Sequence, residues 1–257
     1  MKKSIMIALL FTVLCAGIFA QKKGKSVSEN GFFGTAADNG ITITSYEGTA
    51  KNVVIPEKIA GIPVVRIEAA AFYDIELTGV VIPNTVISIG DSAFANNNLT
   101  NIIIPNSVTR MGGGVFANNN LSSVVISDSI TKILGNTFAN NQLKEVVIPN
   151  SVTEINASAF QSNMVSAVTI PNKVKFIGER AFTNNPLTSV TFLGKIKSSG
   201  FNAETTRAFG IDASYIVDIA SFPGDLRDKF YAADKIEGTP GTYLRPNGTS
   251  SVWTLKK

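Results

Sequence analysis

The chain repeats its apolar pattern every 22 residues. Phenylalanine recurs at this interval in six successive units, at Phe72, Phe94, Phe116, Phe138, Phe160 and Phe182. A leucine or valine follows each of them five residues later, from Leu77 to Leu187. Units that recur at intervals of about 20–50 residues are typical of solenoids, because each unit buries its apolar face only against its neighbours. The repeat therefore predicts stacked coils that share one continuous core.

The sequence of each unit predicts one short strand, which forms one side of its coil. In residues 99–104 (LTNIII) the isoleucines alternate with period two, which predicts a parallel strand with Ile102 and Ile104 facing inward. A proline follows most of these strands and ends them, because proline cannot donate to a sheet ladder. Ser127 takes the place of this proline in one unit.

The rest of the unit predicts a second side and a corner. A second apolar pair, Val108 and Met111 in the same unit, directs the chain along the second side of the coil. Residues 91–95 (DSAFA) place capping residues before an alanine and phenylalanine segment, which predicts a short helical turn that brings Phe94 into the core.

Asparagine is abundant, with 23 residues against 21 glycines. Five asparagines form a column three residues after the phenylalanines and immediately before the strands: Asn97, Asn119, Asn141, Asn163 and Asn185. We interpret this column as structural, with each side-chain amide bonding backbone groups that the turn leaves unpaired. The asparagines directly before them, such as Asn96 and Asn118, are predicted to form more exposed turns.

The outward positions of the predicted strands contain the candidate binding surface. One outward column is Val81, Ile103, Val125 and Val147, with Lys144 and Glu145 the only charges beside it in this set of strands. Four apolar side chains in line on a solvent face are a candidate binding stripe. Valine and isoleucine also suit exposed strands for purely structural reasons, and the pattern leaves both interpretations open.

The N-terminus predicts export. Residues 1–20 combine a short basic start with an apolar run that ends in small residues, as a secretory signal peptide does. Cys15 lies in this run and raises a lipoprotein anchor as an alternative, although the large Leu14 before it disfavours lipidation. Residues 21–50 are predicted to form a tail and strands that cover the first coil.

The C-terminus departs from the 22-residue register. Residues 194–257 are predicted to close the solenoid, with a short helix near residues 224–231 and a hairpin around a Pro-Asn-Gly turn at residues 246–248. The aromatic side chains there, Phe222, Phe230, Tyr243 and Trp253, are predicted to form the core of this unit, with a sugar-binding platform as the alternative.

Composition argues against several chemistries. The chain has no histidine and one cysteine, so it lacks an imidazole base, an imidazole metal ligand and a triad of the usual kind. Lys and Arg number 23 and Asp and Glu 19, without a basic stripe for nucleic acid. We therefore expect no enzyme activity, no cofactor, no metal site and no nucleic-acid partner, and no transmembrane span in the mature chain.

Two phrases carry a family resemblance. Residues 81–94 (VIPNTVISIGDSAF) and 104–109 (IPNSVT) strongly resemble the BspA-like leucine-rich repeats of bacterial surface proteins, and the pattern recurs from about Val53 to Val190. The resemblance implies a β-rich α/β leucine-rich-repeat solenoid of right-handed stacked coils, with a parallel sheet on one face, repeats over residues 51–193 and a cap at each end. Many relatives have cysteine at the Asn97 column and a period one residue longer.

The resemblance also implies a function. It points to a non-enzymatic secreted or cell-surface protein that adheres to host extracellular-matrix or cell-surface proteins. The outward columns of the strands place this binding on the sheet face. The alternative is a structural, self-associating component of the cell envelope or periplasm that has no host ligand.

Overall fold

The computed structural model describes residues 24–196, 226–230 and 238–256. The predicted signal peptide, Cys15 and Phe222 lie outside these residues. Stacked coils occupy the described part of the repeat region, so the predicted solenoid is confirmed.

Three antiparallel strands precede the first coil. They are β1 (Lys25–Glu29), β2 (Phe32–Ala37) and β3 (Gly40–Tyr46), and β3 also pairs in parallel with the first coil through β6 (Ile62–Ile67). The turn between β1 and β2 places Asn30 and Gly31 at φ values of 50° and 82°. Two successive positive φ values suit the tight turns that join twisted strands, and asparagine followed by glycine accepts them readily.

One side of the solenoid has a line of short parallel strands that we call the sheet face. Pairing joins one coil to the next in steps of one repeat, as in Asn101↔Ser123. The pairs are β4 with β7, β9 with β11 and β14 with β16. The strands are β4 (Asn52–Val54), β7 (Gly79–Val81), β9 (Asn101–Ile103), β11 (Ser123–Val125), β14 (Ala167–Ile170) and β16 (Ser189–Phe192).

A second side also has parallel strands, whereas the sequence predicted a sheet on one face. After β5 (Lys58–Ile59), which pairs antiparallel with β6, the line continues with two-residue strands. These are β8 (Ser88–Ile89), β10 (Arg110–Met111), β12 (Lys132–Ile133), β13 (Glu154–Ile155) and β15 (Phe176–Ile177). The apolar pairs predicted for this side supply its buried residues, including Val108 and Met111.

The predicted helical turn at residues 91–95 is wrong. Ser92 and Asn96 have φ values of 53° and 56°, which an α-helix of L-residues does not accommodate. Instead, the N–H groups of Ser92, Phe94 and Asn96 donate to carbonyls of the next coil at 2.9–3.0 Å. The corner is therefore a third line of bonds between coils. Among the described residues the one helix is α1 (Leu226–Phe230), so the repeat region is a β-solenoid rather than an α/β structure.

The core consists of columns that run through the coils. The six repeating phenylalanines are fully buried, and successive rings stack with centroids 4.9–5.8 Å apart and planes 4–17° from parallel. The column from Leu77 to Leu187 is equally buried. Because the rings of successive coils stack on one another, no coil completes its core alone.

The C-terminal segment packs on the last coil. Strand β17 (Gly241–Leu244) pairs antiparallel with β16 and with β18 (Thr254–Leu255). Phe230, Tyr243 and Trp253 are fully buried, which contradicts the sugar-binding platform as the use of these three rings.

Arg245 connects this segment to the solenoid through hydrogen bonds and makes a ring contact within the segment. Its buried guanidinium lies 5.0 Å over the Trp253 ring, its Nη1 donates to the Ser250 carbonyl at 2.7 Å, and its Nε donates to the Leu187 carbonyl. Burial lowers the pKa of this guanidinium from its usual value. The side chain thus satisfies carbonyls on both sides of the junction.

Candidate binding surface on the sheet face

The sheet face presents five exposed apolar side chains in one column, which we call the outward stripe: Val54, Val81, Ile103, Val125 and Val147. Their exposed fractions are 67%, 54%, 66%, 58% and 80%. They point outward because they alternate with buried residues such as Ile102 and Ile104. With about 4.8 Å between neighbouring strands, the stripe extends over about 19 Å.

Val54 is a member of the stripe that the sequence pattern did not predict. The first coil is longer, so Val54 and Val81 are separated by 27 residues rather than 22. The register of β4 on β7 nevertheless places the two valines opposite each other. The shared phrase Val-Ile-Pro, at residues 54–56 and 81–83, is the signal that would have found it.

The same column has threonine in its last two coils. Thr169 and Thr191 stand in register with each other on β14 and β16, one and two coils beyond Val147. Threonine shares the branched shape that suits strands but adds a hydroxyl. The fold therefore accepts a polar residue at this position, and apolar character is not a requirement of the coil.

The sheet face is interrupted at residues 144–148. Within the described range 24–196, no backbone hydrogen bond joins these five residues to either neighbouring coil, and they form no strand. Val146 and Ile148 are still buried, so the coil keeps its core contacts there. Val147, in this segment, is the most exposed member of the stripe.

A depression of about 590 Å³ lies over this interruption and the two coils that follow. Lys144, Glu145 and Val147 line it together with Leu193 from the last coil. Its other outward residues are Asp128, Asn150 and a set of small or hydroxylated side chains: Ser166, Ala167, Thr169, Ser189 and Thr191. Lys144 and Glu145 are exposed, so the structure brings both predicted charges to the stripe.

The asparagine column lies under the surface and joins neighbouring coils. Asn119 is typical: its Oδ1 accepts from the Leu99 N–H at 3.0 Å, and its Nδ2 donates to the carbonyls of Phe94, Phe116 and Ala117 at 3.0–3.3 Å. The other four members repeat these bonds, and all five are at most 7% exposed: Asn97, Asn119, Asn141, Asn163 and Asn185. Their polar groups are occupied, which leaves no capacity for a ligand.

The asparagines before this column have a conformational role. Asn96, Asn118, Asn140 and Asn184 have φ values of 55–57°, a region that asparagine tolerates better than most residues. Their side chains also bond to one another: Asn118 Nδ2 donates to Asn96 Oδ1 at 2.7 Å, and Asn140 Nδ2 donates to Asn118 Oδ1 at 2.8 Å.

A metal-binding cluster and a membrane-spanning helix are both absent from the residues that the structure describes. Across 24–196, 226–230 and 238–256, no three acidic or cysteine side chains are grouped so as to hold a metal ion. In that same part of the chain, no helix combines the length and the apolar character needed to cross a bilayer.

These coils, with their inward aliphatic columns and repeated asparagines, define a leucine-rich-repeat solenoid. A family model described as BspA type leucine rich repeat region matches residues 65–189 in six copies. Residues 65–189 thus consist of repeats of this type, and the resemblance drawn from the sequence is confirmed.

Several solved bacterial structures are similar. A leucine rich cell surface protein from Faecalibacterium prausnitzii A2-165 is 26% identical, with a TM-score of 0.48 over 68% of this chain and 56% of that protein. The T. pallidum leucine rich repeat protein is 28% identical, with a TM-score of 0.39 over 65% and 71%. The pneumococcal vaccine antigen PcpA is 16% identical, with a TM-score of 0.42 over 67% and 51%. The chain thus spans little more than half of the first of these proteins. No curated protein matches the sequence.

Proposed function

We propose that the protein is an exported, non-enzymatic protein-binding module that holds its partner on the sheet face, centred on the outward stripe. The observation that carries the proposal is the column of five exposed aliphatic residues at a position where the same fold accepts threonine. Exposed apolar groups in a continuous line favour contact with another macromolecule, because covering them removes apolar area from water.

The shape of the surface supports a polypeptide partner. A stripe of about 19 Å is long enough for an extended segment or for the edge of another domain. The adjoining depression of about 590 Å³ offers room for a side chain beside Val147, with Lys144 and Glu145 available for polar contacts. Such a combination of apolar centre and polar border is typical of protein interfaces.

The setting that we propose is the bacterial exterior. Residues 1–20 have the features of a signal peptide. The repeats are of the BspA type, and their resemblance to those of bacterial surface proteins supports the same setting. Within this setting we favour adhesion to a host extracellular-matrix or cell-surface protein. Protease treatment of intact cells tests the location: a surface protein is cleaved, whereas a periplasmic one is protected until the outer membrane is permeabilised.

The binding surface is tested with a stripe variant, Ile103→Thr, Val125→Thr and Val147→Thr, in the full chain. Wild type and variant are used to capture proteins from a panel of purified matrix proteins and from host cell-surface extracts. A buried methyl group contributes about 0.8 kcal/mol, so the loss of three should raise the Kd for a captured partner by about 50-fold. The matched control replaces three exposed apolar residues elsewhere, Ile87→Thr, Met164→Thr and Val252→Thr, and should bind as wild type.

Two outcomes would contradict the proposal. Equal binding by the wild type and the stripe variant, with the fold intact by circular dichroism, would exclude the sheet face. Concentration-dependent self-association in sedimentation, lost in the stripe variant and without any captured partner, would favour the structural role in the cell envelope instead.

A further inference from the structure

A second concave site lies on the corner of the solenoid, away from the sheet face. We call it the corner groove; it has a volume of about 340 Å³ and crosses four successive coils. Tyr73 stands at one end and Asn136 at the other, with Ser92, Asn96 and Asn118 between them. At about 4.8 Å per coil its length is about 14 Å. Its volume falls at the lower end of the range of about 300–1,000 Å³ that is usual for ligand sites.

The groove exists because two successive coils lack a side chain where the others have one. The positions that match Gly113 and Gly135 in other coils are Asp91, Ala157 and Glu179. Neither glycine has the positive φ that would exclude other residues. A Cβ on Gly113 would meet one backbone oxygen at 3.2 Å, and so would a Cβ on Gly135. That contact is tight, but the matching coils accommodate side chains. Backbone conformation therefore does not account for these two glycines.

Backbone conformation does not account for the third glycine of the groove either. Gly114 has a φ of 62°, but Ser92, Asn136, Ser158 and Arg180 occupy the matching positions with φ values of 53–57°. The corner thus accepts residues with side chains in this conformation in the neighbouring coils. What the glycines provide is open space.

The walls of the groove are neutral hydrogen-bonding groups beside an aromatic ring. Asn96 Nδ2 donates to the Tyr73 hydroxyl at 2.6 Å, and Asn118 Nδ2 donates to Asn96 Oδ1 at 2.7 Å. Each amide nitrogen has a second N–H, and the Tyr73 hydroxyl retains its own proton to donate. The Asp91 carboxylate beside the groove is already engaged, because its Oδ1 accepts from the Gly113 N–H at 2.7 Å. Tyr73 itself is 44% exposed.

These features select a class of ligand. Amides and hydroxyls that both donate and accept suit a ligand rich in hydroxyl groups, and an exposed aromatic ring suits the apolar C–H face of a sugar. Among the described residues that line the groove none is cationic, so nothing there attracts an acidic ligand, and the elongated form suits a chain of several units. We propose that the corner groove binds a neutral oligosaccharide. This site is distinct from the sheet face and does not rest on the function proposed there.

The test is a glycan array that displays neutral, sialylated and sulfated oligosaccharides, probed with the full chain. The groove-filling variant is Gly114→Asn with Gly135→Gln, chosen because Asn136 and the similarly shaped Glu179 occupy the matching positions. The matched control is Ala157→Gln, which places the same side chain in the same column one coil beyond the groove. Tyr73→Ala removes the ring without filling the groove, and so tests the site even if the filled variant does not fold.

We expect wild type and Ala157→Gln to retain neutral glycans, and the groove-filling variant and Tyr73→Ala to lose at least about 90% of that signal, a tenfold or greater change. The stripe variant should retain the same glycans, which separates this site from the sheet face. Retention of no neutral glycan, a preference for sialylated or sulfated glycans, or binding that survives both groove substitutions would overturn the proposal.

Discussion

At the scale of single residues, asparagine has two different uses in neighbouring positions. Asn119 and the other asparagines of the buried column bond backbone groups that the corner leaves unpaired. Asn118 and the others of the adjacent column instead adopt the left-handed backbone conformation. The 22-residue spacing predicted the first use from sequence, because a buried amide must be bonded. For the second column the sequence predicted exposed turns, but not the left-handed φ values, which bonds between coils impose.

Asn119→Ala should lower the free energy of unfolding by about 1–3 kcal/mol. The change leaves the buried Leu99 N–H without its partner, a loss that costs about 1–3 kcal/mol. The Phe94 carbonyl still accepts from Asn97 Nδ2 at 3.0 Å. Denaturant unfolding monitored by circular dichroism measures the loss. Asn120→Ala, on an exposed neighbour, is the control and should cost less than about 0.5 kcal/mol. A similar small cost for Asn119→Ala would show that its bonds contribute little.

The buried phenol of Tyr243 makes the free energy of unfolding depend on pH in the alkaline range. Burial raises the pKa of its phenol above the usual 10.0, an effect partly offset by a side-chain hydrogen bond with Thr239. The folded state therefore holds this proton more tightly than the unfolded state. The resulting stability is complete below about pH 10 and decreases as pH rises through the folded pKa.

Thermal unfolding followed from about pH 8 to about pH 11 should show a falling midpoint above about pH 10, the usual pKa of tyrosine. Tyr243→Phe has no phenolic proton at this site, so its midpoint should fall less steeply over the same range. Parallel curves for the two proteins would contradict a buried, titrating phenol at this position.

At the scale of elements, the strands were more predictable than the corners and the gaps between strands. Alternation placed Ile102 inward and Ile103 outward, as the structure has them. The predicted helical turn at residues 91–95 failed because capping residues describe local preference, whereas here the backbone is directed by bonds to the next coil. The interruption at residues 144–148 also has no local signal, since its Val-Val-Ile sequence resembles that of the paired strand β11.

Hydrogen exchange should reveal this interruption. Backbone amides of residues 144–148 have no backbone partner in the neighbouring coils of the described range 24–196, whereas β14 (Ala167–Ile170) is paired along its length with β16. We expect peptides that cover residues 144–148 to exchange at least about tenfold faster than those that cover β14. Peptides that cover β9 serve as a paired control from the other half of the face. Equal protection of all three segments would show that residues 144–148 are paired with a neighbouring coil.

At the scale of the whole molecule, the repeat makes the coils interchangeable units. The phenylalanine column and the asparagine column both advance by 22 residues, so removal of one full unit leaves every remaining column in register. The sequence predicted this architecture because the period appears in several columns at once. It could not place Val54, whose coil is longer, and it left two uses open for Tyr243 and Trp253, because the terminal segment lacks the repeat.

Deletion of residues 120–141 removes one complete coil and should yield a folded, slightly shorter solenoid. Asn119 then precedes Gln142, as Asn141 does in the intact chain, and the Phe116 ring can stack on Phe160. Deletion of residues 120–130, half a coil, shifts every later column and should abolish cooperative unfolding. Circular dichroism and thermal melts of the two deletions check this. An unfolded 22-residue deletion would contradict the independence of the coils.

The central functional claim is that a partner contacts the sheet face, and site-specific photocrosslinking tests it most directly. A photoreactive amino acid is placed at Val125 on the outward stripe or at Ile87 on a different part of the surface, in otherwise identical chains incubated with the captured partner. We predict a crosslinked product from the position of Val125 and none from that of Ile87. Crosslinking from the position of Ile87 alone would contradict the account and move the binding surface away from the sheet face.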